Sequence, residues 1–225
     1  MSLTHFHREC LQCPRCTYEQ TVVVWDRVDG AAEPDLKERL LKKQLQTYDC
    51  ENCGETLSVG EGLLYIDATE KLLVYRNPSF HDMTDAALLP TAWIDKLNTV
   101  IGDFSEWHTL RLVAHDNELL EKIHLQDHDL DDRLVELLKV ALKTRYEEEQ
   151  GNTIESCYFL GTDGDILLLQ TETAEQGWYM LEMPYQLYFN AERELGAALP
   201  EMSGRWVMID SRWASRYISE LTAQS

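Results

Sequence analysis

Two short cysteine pairs, Cys13-Pro14-Arg15-Cys16 and Cys50-Glu51-Asn52-Cys53-Gly54, lie in the first quarter of the chain with 33 residues between them. A Cys-x-x-Cys step puts two thiolates on one tight turn, and two such turns supply the four sulfurs of a closed tetrahedral zinc site. Gly54, free to take positive φ just after the last cysteine, lets backbone N–H groups turn toward the sulfurs. A β-element this small buries too little apolar surface to hold itself, and metal binding supplies folding free energy. Cys13, Cys16, Cys50 and Cys53 are therefore the expected ligands of one structural zinc ion. An all-sulfur sphere leaves no position open for water, so no catalysis is expected at the ion, and no catalytic or cofactor-binding residue is assigned.

A redox reading of Cys-Pro-x-Cys competes with the metal reading. Redox proteins place one such motif between a strand and a helix and need no second pair nearby, so the second pair favours metal. Cys10 lies one knuckle-length before Cys13 and is either a substitute ligand or free, the second being preferred. Cys157 sits in an apolar segment and reads as a small buried side chain. His5 and His7 read as part of a mobile N-terminus. His124 and His128 have the i, i+4 spacing of a metal-gripping helix face but lack the Glu of a metalloprotease helix. They also straddle a junction between two expected helices, where Asp127 and Asp129 are explained by capping and solvation. Asp163-Gly164-Asp165 lacks the other ligands of a calcium loop and reads as a turn. The sequence has no Gly-rich phosphate loop, nucleophile elbow or Ser/His/Asp pattern.

The formal net charge of −20 is spread along the 225 residues; residues 152–225 alone carry four Lys or Arg against eleven Asp or Glu. Phosphate-backbone binding relies on clustered positive charge, so nucleic acid is disfavoured as a partner. The basic cluster Lys37, Arg39, Lys42 and Lys43 reads as the solvated face of a helix whose other face holds Leu36, Leu40, Leu41 and Leu45. No apolar run approaches the ~20 residues that span a bilayer, so no membrane association is expected. The first nine residues have no apolar core that would make a signal peptide. A cytoplasmic setting is expected, in keeping with reduced thiols held for metal.

Residues 18–28 are β-branched and aromatic and read as a strand leaving the first knuckle. Pro34 opens a helix to about Gln46, and residues 47–50 return to the second knuckle. Apolar runs follow at 56–60, 62–67 and 71–76, the last two forming a hairpin, and Asn77-Pro78 closes the module. Residues 84–101 read as a helix broken at Pro90, 109–114 as strand or helix, and 116–124 as helix. The clearest helix covers 129–148, with Asp129, Asp131 and Asp132 in its first turn and Lys139, Lys143 and Arg145 nearer its end, as the dipole favours. Gly151 stops it. Strands at 154–160 and 165–171 flank a turn at Gly161–Gly164, a strand follows at 177–183, and then come a helix at 185–198, a strand at 205–210 and a helix at 211–222. The expected fold class is α+β: a zinc-ribbon-like β module with a helical insert (1–79), a helical segment (80–151) and a C-terminal α+β unit (152–225).

Taken together, this arrangement resembles the CpXC domain family. The matching residues are Cys13-Pro14-Arg15-Cys16, Trp25, Pro34-Asp35-Leu36 with the Leu-rich helix, Cys50-x-x-Cys53-Gly54 and Leu64-Tyr65-Ile66-Asp67, followed by Leu110-Arg111-Leu112-Val113, Glu118–Ile123, and Leu130-Asp131-Asp132-Arg133 with Glu136-Leu137-Leu138-Lys139. The resemblance implies a zinc-ribbon-containing protein in a bacterial-type cytoplasm and contributes no substrate, because the family has no established biochemical activity.

The function expected is a non-enzymatic protein-interaction or adaptor module with structural zinc and a protein partner. Trp178, Tyr179, Tyr185, Tyr188, Phe189, Trp206, Trp213 and Tyr217 make the C-terminal third rich in aromatics, which pack a core or, if exposed, mark a binding face. The alternative is an enzyme of unknown reaction whose pocket, expected between the ribbon and the C-terminal unit, uses Glu118, Glu121, Asp131 and Asp132 with Arg111 or Arg133. Nucleic-acid binding through the ribbon and the Lys42/Lys43 helix is weakened by charge.

Overall fold

The first cysteine knuckle sits at the turn of a hairpin. The computed structural model describes residues 2–60, 62–83 and 91–223. Strand β1 (His5–Gln12) runs into Cys13 and returns as β2 (Glu19–Asp29), paired antiparallel from Gln12 against Glu19 back to His5 against Arg27. Val22 and Val24 alternate inward on β2, as a half-buried strand requires. His5 and His7 are therefore ladder residues, which corrects their reading as a mobile N-terminus. The second knuckle repeats the device: β3 (Thr47–Asp49) and β4 (Thr56–Ser58) pair antiparallel on either side of Cys50–Cys53. Helix α1 (Pro34–Leu41) lies between the hairpins, with Pro34 in its first turn. It stops short of Gln46 because Lys43 turns left-handed (φ 57), and Leu45 beyond it is fully buried.

After the second hairpin, β5 (Leu63–Asp67) joins β2 in parallel and pairs antiparallel with β6 (Leu72–Arg76), and β6 lies parallel to β7 (Thr109–Val113). Residues 109–114, left open between strand and helix, are thus strand. Among the described residues the sheet has the order β1-β2-β5-β6-β7-β11, the last being Trp206–Val207, much shorter than the strand expected over 205–210. Every residue of β5 is buried, which is why it reads as a continuous apolar run instead of alternating. The sheet runs on past Asn77-Pro78, where the Asn77 side chain caps a 3-10 turn by accepting from the Ser79 amide (2.9 Å). Helix α2 (Thr91–Ile101) is the latter part of the helix expected over 84–101; Leu88, Leu89 and Pro90 lie outside the described residues.

The chain divides into two units, residues 1–120 with 203–206 and residues 121–202 with 207–225; α3 (Asp116–Asp127) crosses the division. In the second unit, α4 (Asp132–Gln150) is capped by Asp131, whose side chain accepts from the Arg133 amide (2.9 Å), and ends at Gly151 with φ 70. Strands β8 (Ile154–Asp163), β9 (Ile166–Thr173) and β10 (Gly177–Pro184) form an antiparallel sheet in the order β10-β9-β8. Asp163 pairs with Ile166, so the hairpin turn is only Gly164-Asp165, tighter than the span expected. Leu134 and Val135 of α4 pack with Phe159, Leu167 and Leu169, beside Tyr188 of α5 (Tyr185–Leu195). Leu137 packs with Trp213 and Ala214 of α6 (Ser211–Ala223). The fold is α+β. Among the described residues no helix is long and apolar enough to cross a membrane.

Candidate metal centre

The two hairpins meet at their tips. Cys13 Sγ lies 3.6 Å from Cys53 Sγ, and Cys16 Sγ lies 3.6 Å from Cys50 Sγ. All four sulfurs fall within 4.8 Å of one another, the only such cluster among the described residues. Four ligands at the usual zinc–sulfur length of about 2.3 Å stand roughly 3.8 Å apart along a tetrahedron edge, close to the separations found. A disulfide needs about 2.05 Å, so these are free thiols placed as ligands are placed. Cys13 and Cys50 are buried while Cys16 and Cys53 are partly exposed, so each knuckle contributes one inner and one outer sulfur.

The knuckles are built alike. The Thr17 amide donates to the Cys13 carbonyl (2.9 Å), and the Gly54 amide donates to the Cys50 carbonyl (2.8 Å). Both closing residues are left-handed, Thr17 at φ 59 and Gly54 at φ 71. The hairpins are also joined by a polar contact: the Gln20 side chain donates to the Asp49 carbonyl (3.1 Å) and accepts from the Glu51 amide (2.9 Å). Apolar support is slight, since the cluster here is Val22, Val24 and Val59 with Leu11 and Tyr48 against them.

Electrostatics favours a cation between the sulfurs. A hydrogen bond from the Asn52 side chain, and then one from the Tyr18 backbone, bring the Cys16 thiol down to about 6. The Glu55 amide pulls Cys53 down, but burial and hydrogen bonds from the other three cysteines override it and push Cys53 up to about 12. Four sulfurs this close cannot all carry charge alone, and a divalent ion removes that conflict. The donor set and its spacing thus fit a metal ion.

Other residues singled out in the sequence have local duties. Cys10 is exposed on β1 and stands outside the cluster. Cys157 is buried, and burial foremost pushes its thiol up to about 12, so it is an inert core residue. His128 Nδ1 lies 2.7 Å from the His124 carbonyl at the end of α3, which spends that ring on helix capping. Glu118 accepts from the amides of Ala114 (2.7 Å) and His115 (3.0 Å) at the start of α3. Asp131 caps α4 and pairs with Arg133; Arg111 is buried in β7. Glu121 and Asp132 belong to a buried ion network: Lys139 Nζ meets Glu121 (2.9 Å) and Glu136 (2.7 Å), and Lys122 Nζ meets Asp132 (2.9 Å). Lys139 is therefore an interior residue, which corrects its reading as a cation answering the helix dipole.

Two features escaped the sequence reading. Gln20 carried no signal, because its partners are backbone groups 29 and 31 residues away. His5, His7 and Glu9 alternate on one face of β1, and that period of two was the available clue. They line a cleft of about 610 Å3 with Asp26, Arg27 and Tyr75. Asp26 engages both rings, at 2.8 Å from His5 Nδ1 and 3.0 Å from His7 Nδ1.

A family model described as CpXC protein matches residues 11–139, more than half of the chain and a span that holds all four clustered cysteines. No curated protein and no solved structure matches the chain.

Proposed function

We propose that this chain, which belongs to the CpXC family, is a zinc-held protein-interaction module of the cytoplasm and not an enzyme. Cys13, Cys16, Cys50 and Cys53 would hold the ion, whose bound state supplies folding free energy to a ribbon with little core of its own. Four sulfurs fill the coordination sphere, so the role assigned to the metal is structural.

One observation carries the interaction reading: Trp178 and Met180 stand 45% and 50% exposed on β10 of a sheet whose other face is packed. Aromatic and methionine side chains held at a surface are the usual material of protein interfaces. Purified protein is expected to contain one zinc per chain by elemental analysis. Affinity capture from the native host is expected to return a partner that Trp178→Ser fails to retain. Recovery of the same proteins by both versions sinks this reading.

A second reading rests on the cleft at His5, His7 and Asp26, where carboxylate-held imidazoles suit acid–base chemistry. Turnover of a small molecule that disappears in His7→Ala, with zinc content unchanged, would put an enzyme in place of the adaptor.

A further inference from the structure

Period-two alternation sorts the side chains of the β8–β10 sheet between two faces. Cys157, Phe159, Leu167, Leu169 and Met183 are buried with Leu134 and Tyr188. The register sets Tyr158 opposite Gln170 and Gln170 opposite Met180, with Glu172 opposite Trp178 and Leu168 opposite Glu182. Tyr158, Leu168, Trp178 and Met180 therefore share the outer face with Glu172 and Glu182. The Trp178 ring stacks on Tyr158 across the middle strand, with centroids 6.1 Å apart. An aromatic pair fixed in this way loses little side-chain entropy when a partner arrives.

Charge identifies what covers the face. Between Arg145 and Arg193 the chain has no Lys or Arg, while these strands and their turns supply Glu155, Asp163, Asp165, Glu172, Glu175 and Glu182. A second copy would set like charges against each other, and anionic lipid would be repelled in the same way. A cationic segment with apolar side chains satisfies both halves of the surface. Resting on the interaction reading above, we infer that the outer face of the β8–β10 sheet docks a lysine- or arginine-rich segment of a protein partner. Trp178 and Met180 receive its apolar side chains, and Glu172 and Glu182 its charges.

The test uses the full, zinc-loaded chain and a fluorescein-labelled peptide alternating lysine with leucine, followed by anisotropy at physiological salt. A glutamate–leucine peptide runs beside it. Only the lysine peptide is expected to bind. Trp178→Ser with Met180→Ser, both on the surface, weakens it about tenfold or more with circular dichroism unchanged. Glu172→Gln with Glu182→Gln weakens it severalfold and flattens the salt dependence, whereas Glu147→Gln with Glu148→Gln, off the sheet, stays within about twofold. Equal loss from both acid pairs, or full binding by the Trp178/Met180 variant, overturns the assignment, since the attraction is then general charge alone. A photo-crosslinker at position 178 in the native host separates this inference from the one beneath it. A basic protein segment captured there supports both. An acidic or uncharged protein captured there overturns the docking inference and leaves the interaction reading standing. Lipid or a second copy at 178 overturns docking of a basic segment. No partner from any surface position sinks the interaction reading itself.

Discussion

Thr17 and Gly54 hold equivalent places, each following the last cysteine of its knuckle and each left-handed. Only Gly54 is free of a Cβ there, and no atom lies within 4 Å of where one would be, so its requirement is purely backbone. A left-handed L-residue costs about 1–2 kcal/mol, of which a glycine's extra freedom in the unfolded chain offsets about 0.4–1. Opposite substitutions at the two sites should therefore act with opposite sign. Gly54→Ala is expected to destabilise the ribbon by about 1 kcal/mol and Thr17→Gly to stabilise it by a similar amount, read from urea midpoints of zinc-loaded protein. Equal signs would mean that the knuckles are not equivalent. At the other end of the hairpin, the Asp26 hydrogen bond foremost raises His7 above its ordinary 6.5. Burial works to raise Asp26, but the bonds to His7 and His5 outweigh it and hold the carboxyl below 3.8. The raised histidine contributes stability that is full below 6.5 and lost as pH rises through its folded value. The lowered carboxyl contributes stability that is present above 3.8 and lost as pH falls through its folded value. The contact is thus at full strength between those two limits. NMR titration should place His7 above 6.5, and Asp26→Asn should return it toward that value; no movement in the variant would remove Asp26 as the cause.

Helix α4 separates what a sequence displays from what it conceals. Its leucine stripe, acidic start and Gly151 stop were legible because each depends on residues within a turn or two. The burial of Glu136 and Lys139 was not, because Glu121, which pairs with Lys139, comes from α3. The same division runs through the four-cysteine cluster. Cys-x-x-Cys announces itself by local spacing, whereas Gln20 and the Asp26 contacts to His5 and His7 join residues that only the folded chain brings together. β1 was missed because its exposed face is polar and imitates a loose tail. In the α4 network three acids face two lysines. Burial alone would lower Lys139, but Glu121 and then Glu136 keep it protonated far above the ordinary range. Burial foremost raises Glu136, and Glu121 beside it adds to this against the pull of Lys139. Lys139→Met leaves two buried acids, Glu121 and Glu136, without the cation they share and is expected to cost about 3–5 kcal/mol, whereas Glu136→Gln leaves the Lys139–Glu121 pair in place and costs less. Chemical denaturation of the two variants checks the order, and a reversed order would mean that Lys139 is not the centre of the network.

The chain as a whole distributes its stability unevenly, and zinc removal should expose that distribution. Among the described residues the apolar cluster beside the knuckles is Val22, Val24 and Val59, roughly what a few kcal/mol of burial provides. Fixing the knuckle backbones costs about 1–2 kcal/mol for each residue, which these valines alone do not cover. Elsewhere the balance differs: Leu64, Tyr65, Ile66, Leu73 and Val74 of β5 and β6 are fully enclosed, as are Phe159, Leu167 and Leu169 of the second unit. Those regions are expected to hold without a metal ion, and the hairpin tips are expected to need one. Chelation followed by hydrogen exchange is therefore expected to deprotect amides from Cys13 to Val24 and from Tyr48 to Val59. Protection should persist in β5, β6 and β9, so the loss is local unfolding and not collapse. A Cys16→Ser, Cys53→Ser variant should show the same pattern with zinc present, which distinguishes loss of the ion from any other effect of the chelator. Exchange that rises everywhere together would mean that the metal holds the entire chain. Exchange that rises nowhere would mean that hydrogen bonds such as those of Gln20 suffice, and that the four sulfurs are not what keeps the ribbon folded.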